Sequence, residues 1–557
     1  MALFAEMRRR NVFKVAFVYL FGAALVYWLS VVVQTQLGLP WWTSRLIALL
    51  LCVGFPAALI FAWVYEITPS GLKKAIDVDQ TQSIVFKTGQ KLNAALAVVI
   101  VLGTVAMVAD RLLPELAVVE PPPPPAPVFD APASARVPPE IASFTLANGL
   151  RVIVWPDHDI PNVALYLFVR AGGRNEVPGI TGLSHFFEHM MFNGTATRAP
   201  GEFDEVMEAA GGANNAYTTN DVTVYTDWFP RSALETVFEL EADRFENLAF
   251  VPEVVETERG VVYSERRTRV DNDNTGQLYE QMMATAYVAH PYQFPVIGWP
   301  SDIEAWTLGD LESYFRTYYA PNNCTLVVAG DVTAEEIHSL ATDTFGAIPA
   351  QAPPPPVRTV EPPQTGMRRV TVEAPAQTPL LHVAFHAGRT ADPDSLPTDL
   401  LLNILVGGDS SRLHRLLVEE EQLAISVGGF RGDSFDPGLV YLYLTLPPGA
   451  DPSTVEARLF DALASVADDG VTEAELAKAR NMMLAEFWRG MATINGKASA
   501  LGDFEVFHGD YARLFDRAAD IDAITGVQLR DVAGRVFRRH NATVGVFRPS
   551  ADDGEAP

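Results

Sequence analysis

The stretch GLSHFFEHMMFNGT occupies residues 182–195 and contains the pattern H-x-x-E-H. On a helix, His185 and His189 lie one turn apart on the same face, so both imidazoles can reach one metal ion while Glu188 lies beside it. This order reverses the commoner H-E-x-x-H pattern and is typical of inverted zinc hydrolases. Two histidines on a Phe- and Met-rich helix can also be core residues with satisfied hydrogen bonds. The metal interpretation therefore needs a third ligand.

An acidic segment downstream holds candidates for that ligand. A catalytic zinc site uses three protein ligands and leaves one position for water. Residues 253–265 read EVVETERGVVYSE and are predicted to be helical. Glu258 and Glu265 are two turns apart in this run and share a face.

Together these patterns make the chain resemble the pitrilysin, insulysin and mitochondrial processing peptidase family of zinc metallopeptidases. The shared signature is H-x-x-E-H followed downstream by E-x-x-x-x-x-x-E. The match extends from about residue 140 to 550. Further segments that agree are residues 148–150, 215–218, 290–292, 319–323 and 328–331.

The resemblance implies a role for each residue of the signature. His185, His189 and Glu265 would bind one zinc ion. Glu188 would be the general base towards a zinc-activated water. Glu258 would orient a ligand histidine, although it could also be an ordinary solvated glutamate on a helix.

Residues 215–218 match a family segment to which a peptide substrate adds as an extended strand. Backbone pairing of this kind supplies affinity without demanding a particular sequence. The resemblance therefore implies peptide-binding positions at Asn215, Ala216 and Tyr217. The alternative is a hairpin strand that pairs only within its own sheet.

The first 117 residues differ in composition from the rest. Residues 15–33 and 46–65 are uncharged apolar runs of bilayer-spanning length, and residues 94–109 form a shorter third run. Basic residues precede the first run and lie between the second and third, so these segments are predicted to face the cytoplasm. The sequence thus predicts a multi-span membrane anchor.

Three spans would deliver the peptidase to the far side of the membrane. The predicted location is therefore the bacterial inner membrane, with a periplasmic peptidase. If residues 94–109 form a buried helix instead, the peptidase would stay in the cytoplasm.

Two proline-rich stretches divide the rest of the chain. Residues 118–139 are predicted to be a semi-rigid linker, and residues 350–364 a hinge. They delimit an active half, residues 140–349, and an inactive half, residues 365–550, each of ordinary domain size.

The two halves are similar in sequence. Residues 164–172 have a counterpart in residues 380–388, whereas residues 405–413, which replace the histidine helix, contain no histidine pair. We expect an α+β fold in which each half has a mainly antiparallel sheet with helices on one face. The resemblance implies that the two halves form a clam-like cleft.

One position departs from the family pattern. The resemblance places an arginine, followed by a tyrosine, within residues 438–443, where it would stabilise transition-state charge. This chain has Val440 at that position. Arg412 and Arg431 are the candidate substitutes.

Charge and resemblance together suggest the partners. The net charge is −27, and the first 120 residues are slightly basic, so the acidity belongs to the peptidase region. An acidic cleft would concentrate cationic peptides, although acidity can equally serve solubility. The charge excludes a basic nucleic-acid surface. The resemblance also implies a homodimer.

The sequence therefore predicts a membrane-anchored zinc metalloendopeptidase or oligopeptidase that hydrolyses peptides or unfolded protein segments. The alternative is a catalytically weak or inactive family member that acts as a peptide-binding or scaffold subunit. The complete ligand set argues against this alternative, whereas Val440 argues for it.

Overall fold

The computed structural model describes residues 129–130 and 136–550, together with scattered residues between 12 and 74. It has two compact units, Met1–Ala126 and Pro127–Pro557. In the first unit the Tyr19 hydroxyl donates to the Leu51 carbonyl at 2.7 Å, which links two helical stretches. A hairpin of strands β1 (Tyr65–Thr68) and β2 (Gly71–Lys74) follows them.

In the described residues, no helix is long and apolar enough to cross a membrane. A span requires about 20 consecutive, mainly apolar residues. The described helical residues of the predicted spans 15–33 and 46–65 do not form such a helix. This finding contradicts the predicted inner-membrane location, and the described residues do not support the predicted anchor. The third predicted span, residues 94–109, and most of the linker 118–139 lie outside the described residues.

A six-stranded sheet begins the second unit. Its strand order is β3-β4-β8-β5-β7-β6, and every neighbouring pair is antiparallel except β4 with β8. The strands are β3 (Ala142–Thr145), β4 (Arg151–Pro156), β5 (Asn162–Val169), β6 (Ala213–Thr218), β7 (Thr223–Pro230) and β8 (Cys324–Gly330). Strand β5 is buried from its second residue onward, which indicates that both of its faces are covered.

The α-helices of this part pack mainly around one large apolar core. They are α1 (Leu183–Met190), α2 (Glu202–Ala209), α3 (Leu234–Asn247), α4 (Pro252–Arg266), α5 (Asn274–Ala286), α6 (Pro300–Ala305), α7 (Leu308–Tyr318) and α8 (Ala334–Phe345). A π-helical turn, Arg267–Asp271, follows α4 directly. Such turns are frequent at functional sites.

A five-stranded sheet follows residues 350–364, which contain no helix or strand. Its strands are β9 (Arg368–Pro375), β10 (Leu380–His386), β11 (Ser426–Arg431), β12 (Leu439–Thr445) and β13 (Ala542–Ser550). The helices of this part are α9 (Ser395–Val406), α10 (Arg412–His414), α11 (Pro452–Asp469), α12 (Glu473–Gly490), α13 (Ile494–His508), α14 (Arg517–Ala523) and α15 (Gly526–Val536).

The two sheets repeat one topology. The second has the order β11-β12-β10-β13-β9, which matches β6-β7-β5-β8-β4 of the first. The parallel pair also recurs, as β13 with β9. The similar stretches noted in the sequence are the central strands β5 and β10. The mixed α/β fold expected from the sequence is thus confirmed.

Each sheet is covered on its second face by a helix from the other part of the chain. Helix α13 packs on the first sheet, where Leu501 joins the cluster that contains Phe168 and Val327. Helix α5 packs on the second sheet, where Met282 lies in a cluster with Phe547. The prediction of helices on one face of each sheet is therefore incomplete, because a helix from the other part of the chain covers the second face.

Candidate metal centre

Helix α1 carries the H-x-x-E-H pattern and begins at a tight turn. Gly182 precedes the helix with φ 88°, and a Cβ there would lie 2.6 Å from the Ile297 carbonyl oxygen. The Glu176 carboxylate accepts hydrogen bonds from the backbone N–H groups of Gly182, at 2.6 Å, and Ser184, at 2.7 Å. A buried carboxylate therefore caps a helix whose preceding glycine has no side chain to do so.

The packing of α1 fixes the direction of its polar side chains. One side of the helix is apolar and fully buried in the core, and it consists of Leu183, Phe186, Phe187 and Met190. Because helical residues three and four apart share a face, the histidines and Glu188 point away from this core towards α4. The orientation of the motif is thus a consequence of core packing.

The structure brings His185, His189 and Glu265 together. Each histidine places its Nε2 atom 3.4 Å from the Oε2 atom of Glu265. One potential ligand atom from each residue lies within 4.8 Å of the others, and these three form the one such cluster found in the described part of the chain. Two nitrogens and one carboxylate oxygen therefore converge on a single point.

The donor set fits zinc. Zinc bonds to histidine nitrogen and carboxylate oxygen are about 2.0–2.2 Å long, so tetrahedral donors stand roughly 3.4 Å apart. The observed Nε2–Oε2 separations have this value. Three protein ligands leave a fourth position open, which is the arrangement of catalytic rather than structural zinc sites.

Electrostatics distinguish the two histidines. Burial, together with the neighbouring His189, lowers the pKa of His185 to about 4. Burial also acts to lower the pKa of His189, but hydrogen bonds to Glu258 and Glu265 outweigh it and raise the pKa to about 9. The hydrogen bond from His189 holds the pKa of Glu265 below its usual value.

Glu258 lies behind His189. Its Oε1 atom is 2.7 Å from Nδ1 of His189, and its Oε2 atom accepts from the Asn193 amide at 2.9 Å. The same amide donates to the His189 carbonyl oxygen at 3.1 Å. With Nδ1 engaged, the Nε2 atom of His189 is left for the metal, as expected for a carboxylate–histidine–metal arrangement.

Glu188 lies next to these ligands and receives one defined hydrogen bond. The Thr218 hydroxyl donates to its Oε2 atom at 2.6 Å. Burial raises the pKa of Glu188, and the Thr218 hydrogen bond opposes that shift. A carboxylate whose pKa moves towards neutrality is suited to accept and return a proton.

A cavity of about 430 Å³ opens beside Glu188 and His189, and Ala216 of strand β6 lines it. Strand β6 is an edge strand that pairs with β7 on one side. Side chains alternate along a strand, so Ala216 and Thr218 share the face of Glu188. The side chains of Asn215 and Tyr217 alternate to the opposite face, and Asn215 nevertheless contributes to the lining of the cavity.

The departure from the family pattern is visible in the second sheet. Val440 is fully buried in β12, where it lies opposite Arg431 of the neighbouring strand β11. Arg431 donates to Asp399 at 2.7 and 3.0 Å, and Arg412 donates to Glu475 at 2.8 and 2.6 Å. Both candidate substitutes are thus engaged in ion pairs within the second part.

Two contributors were missed by the sequence analysis. Thr218 ends the segment assigned to peptide binding but was given no role of its own. Asn193, whose amide donates to Glu258, was assigned no role in the site. The alternation of β6 could have placed Thr218 on the side of Ala216, but no local signal connects Asn193 to a residue on a distant helix.

Comparisons with known proteins agree with this geometry. The profile of Insulinase (Peptidase family M16) matches residues 151–298, which include all three converging ligands. The profile of the Peptidase M16 inactive domain matches residues 305–483, which include the second sheet up to β12.

Individual relatives are bacterial proteins named as proteases. The zinc protease PqqE of Helicobacter pylori is 28% identical over 416 residues, covering 74% of this chain and 93% of that protein. An uncharacterized zinc protease of Mycobacterium leprae is 30% identical over 414 residues, covering 72% of this chain and 91% of that protein. The crystal structure of a protease from Helicobacter pylori superimposes with a TM-score of 0.72 at 28% identity, covering 74% of this chain and 100% of that one. The chain therefore belongs to the insulinase family of peptidases, family M16.

Proposed function

We propose that this protein is a zinc metallopeptidase that hydrolyses peptides or unfolded protein segments as an endopeptidase or oligopeptidase. The observation that carries the proposal is the convergence of His185, His189 and Glu265 on one point, with Glu188 beside it. A zinc ion, when bound there, lowers the pKa of a coordinated water and polarises a peptide carbonyl.

Glu188 has the role of general base in this proposal. Its Oε2 atom is held by Thr218, so Oε1 is the oxygen free to take a proton from water and pass it to the leaving amine. The Thr218 hydroxyl fixes the direction of that oxygen. Glu258, which accepts a hydrogen bond from the Asn193 amide, holds the His189 ring in place.

Strand β6 is the proposed platform for the substrate. An extended peptide would add to its outer edge by backbone hydrogen bonds. The side chains of the bound peptide would then alternate between two faces. One is the face of Ala216, beside the metal centre, and the other is the face of Asn215 and Tyr217. Support comes from the edge position of β6 and from the cavity that Ala216 lines.

The test is to compare peptide cleavage and zinc content of the full-length protein with those of Glu188→Gln. Loss of a positioned general base costs about 10²- to 10⁴-fold in kcat, whereas zinc should stay bound because Glu188 is not a ligand. Loss of zinc together with activity would instead make Glu188 part of the metal site.

The second candidate function is a peptide-binding or scaffold subunit with weak or no turnover. It is favoured by the burial of Val440 where relatives of this type are expected to carry an arginine, and by the ion pairs of Arg431 and Arg412. A zinc-loaded protein that binds peptides from a diverse library but cleaves none of them would favour this function over catalysis.

A further inference from the structure

A second cavity lies in the inactive part of the chain and shares no lining residue with the cavity at the metal centre. It has a volume of about 280 Å³ and is lined by residues of α12, α13, α14, the start of α9 and the end of β11. Small-molecule pockets begin at roughly 300 Å³, so this cavity suits a ligand of the size of an amino acid or dipeptide.

One wall of the cavity is cationic and contains a donor without a partner. The Arg431 side chain is 4% exposed, and it donates through Nε and Nη2 to Asp399 and through Nη2 to the Ser395 hydroxyl at 2.6 Å. Its Nη1 atom is buried and has no hydrogen-bond partner in the structure. A buried guanidinium N–H left unpaired is costly, so an acceptor in the cavity would be stabilised.

Two more nitrogen-bearing side chains extend this wall. The Nη2 atom of Arg517 lies 3.8 Å from Asp399, so that carboxylate faces two guanidinium groups. The Nδ1 atom of His508 is buried and, like Nη1 of Arg431, has no partner in the structure. The single carboxylate of Asp399 contacts the two cationic groups of Arg431 and Arg517, so the net charge of this group is positive and a second anion could bind.

Carboxylates form the other charged side of the cavity. Asp433 accepts from the Thr390 hydroxyl at 3.0 Å, and Asp503 accepts from the Ser499 hydroxyl at 3.2 Å. In the described part of the chain, no basic side chain makes a direct ion pair with either carboxylate, and of the two only Asp433 lies close enough to Arg431 and Arg517 to act on their pKa values. Burial and the neighbouring Asp433 raise the pKa of Asp503 to about 7. An ammonium group would relieve this accumulation of negative charge.

We propose that this cavity binds a free amino acid or dipeptide in its zwitterionic form. The carboxylate of the ligand would accept from Arg431 and Arg517, and its ammonium group would donate to Asp433 and Asp503. Charge-assisted hydrogen bonds at both ends would fix the orientation of the ligand. The apolar part of the lining, which includes Phe487, Phe504 and Phe507, would take an apolar side chain. The proposal does not depend on peptidase activity.

Calorimetric titration with leucyl-leucine provides the test. The protein used is full-length Glu188→Gln treated with a chelator, so that the probe is not consumed. We expect saturable binding of the free dipeptide. Leucyl-leucine amide lacks the carboxylate and N-acetyl-leucyl-leucine lacks the ammonium group, and each should bind about tenfold more weakly or worse.

Variants locate the binding in this cavity. Arg517→Gln and Asp433→Asn should each weaken dipeptide binding about tenfold, whereas the exposed control variants Arg530→Gln and Asp522→Asn should leave it unchanged. The proposal is overturned by absence of saturable binding, by equal binding of the blocked dipeptides, or by wild-type affinity in both cavity variants.

Discussion

At the residue scale, His189 is held from both ring nitrogens. Glu258 contacts Nδ1 at 2.7 Å, and Nε2 lies 3.4 Å from the Glu265 carboxylate. The hydrogen bond at one nitrogen sets which nitrogen is available to a metal. The geometry of the centre therefore depends on a residue that is not itself a ligand.

Replacing Glu258 by Gln should weaken zinc binding about 10- to 100-fold, because the partner that orients His189 loses its charge. Competition with a chromophoric chelator measures the affinity. Glu256→Gln is the matched control, since Glu256 lies on the same helix and is 68% exposed. Equal zinc affinity in both variants would show that Glu258 is an ordinary helix glutamate.

Thr218 provides a second residue-scale prediction. Thr218→Val keeps the β-branched shape but removes the hydroxyl that donates to Glu188. We expect kcat to fall roughly tenfold with KM little changed, because the general base loses its fixed direction. Thr218→Ser should restore most of the activity. A similar kcat in Thr218→Val and the wild type would remove Thr218 from the mechanism.

At the scale of elements, the cap of α1 is a buried carboxylate. Burial raises the pKa of Glu176 to about 8, from an ordinary value of 4.5. The folded state therefore binds more protons than the unfolded state between these values. Since stability falls with rising pH wherever the folded state binds more protons, Glu176 makes the protein less stable as pH rises from 4.5 to about 8.

Urea denaturation between pH 5 and 8.5 tests this prediction. The wild-type free energy of unfolding should decline over this range, and Glu176→Gln should show a smaller decline because it cannot ionise. Parallel pH profiles for the two proteins would contradict the assignment. The variant should also be less stable overall, since it offers one acceptor oxygen in place of two to the backbone N–H groups of Gly182 and Ser184.

A buried ion pair on helix α3 packs against Phe192, which lines the metal-centre cavity. Arg244 pairs with Glu241, and both side chains are almost fully buried. The guanidinium lies 4.9 Å from the ring centre of Phe192 and 4.4 Å from that of Phe203. Phe192 lines the cavity and directly precedes Asn193.

Arg244→Met should destabilise the protein by about 3–5 kcal/mol, because it leaves the buried carboxyl groups of Glu241 and Asp227 without a cation. Adding Glu241→Gln should recover much of this loss. Chemical denaturation of the two variants measures the difference. If the double variant is no more stable than the single one, an uncompensated charge is not the cause.

Local patterns made the metal centre predictable. The spacing of His185, Glu188 and His189 is a property of one helix, and the spacing of Glu258 and Glu265 is a property of another. The contact between those helices is not local and had to come from the family resemblance. Asn193 escaped prediction for the same reason, because its partner Glu258 is remote in sequence and the hydrogen bond depends on tertiary packing.

At the scale of the whole molecule, the two sheets are joined by the exchanged helices α5 and α13. Separating the two parts would expose apolar surface on both sheets, because each helix buries side chains in the other part's core. The sequence predicts helices on only one face of each sheet, since the amphipathic pattern of a helix does not reveal which sheet it covers. We therefore expect both sheets to unfold in one transition.

Gly502→Ala tests this coupling. A Cβ at Gly502 would lie 2.0 Å from the Phe168 ring, so overpacking should cost roughly 1–3 kcal/mol. Gly534→Ala is the control, because nothing lies within 4 Å of its Cβ position. Hydrogen exchange of β5 and β10 should accelerate together in Gly502→Ala. Acceleration in one sheet alone would show that the halves unfold separately.

In the proposed function, a zinc ion held by His185, His189 and Glu265 makes this protein a peptidase. The most direct measurement is cleavage of a diverse peptide library by the full-length protein, first after chelation and then after adding zinc back in known amounts. We predict no cleavage without metal and full recovery at one zinc ion per chain. Cleavage by the metal-free protein, or no cleavage once one zinc is bound, would contradict a zinc-dependent peptidase.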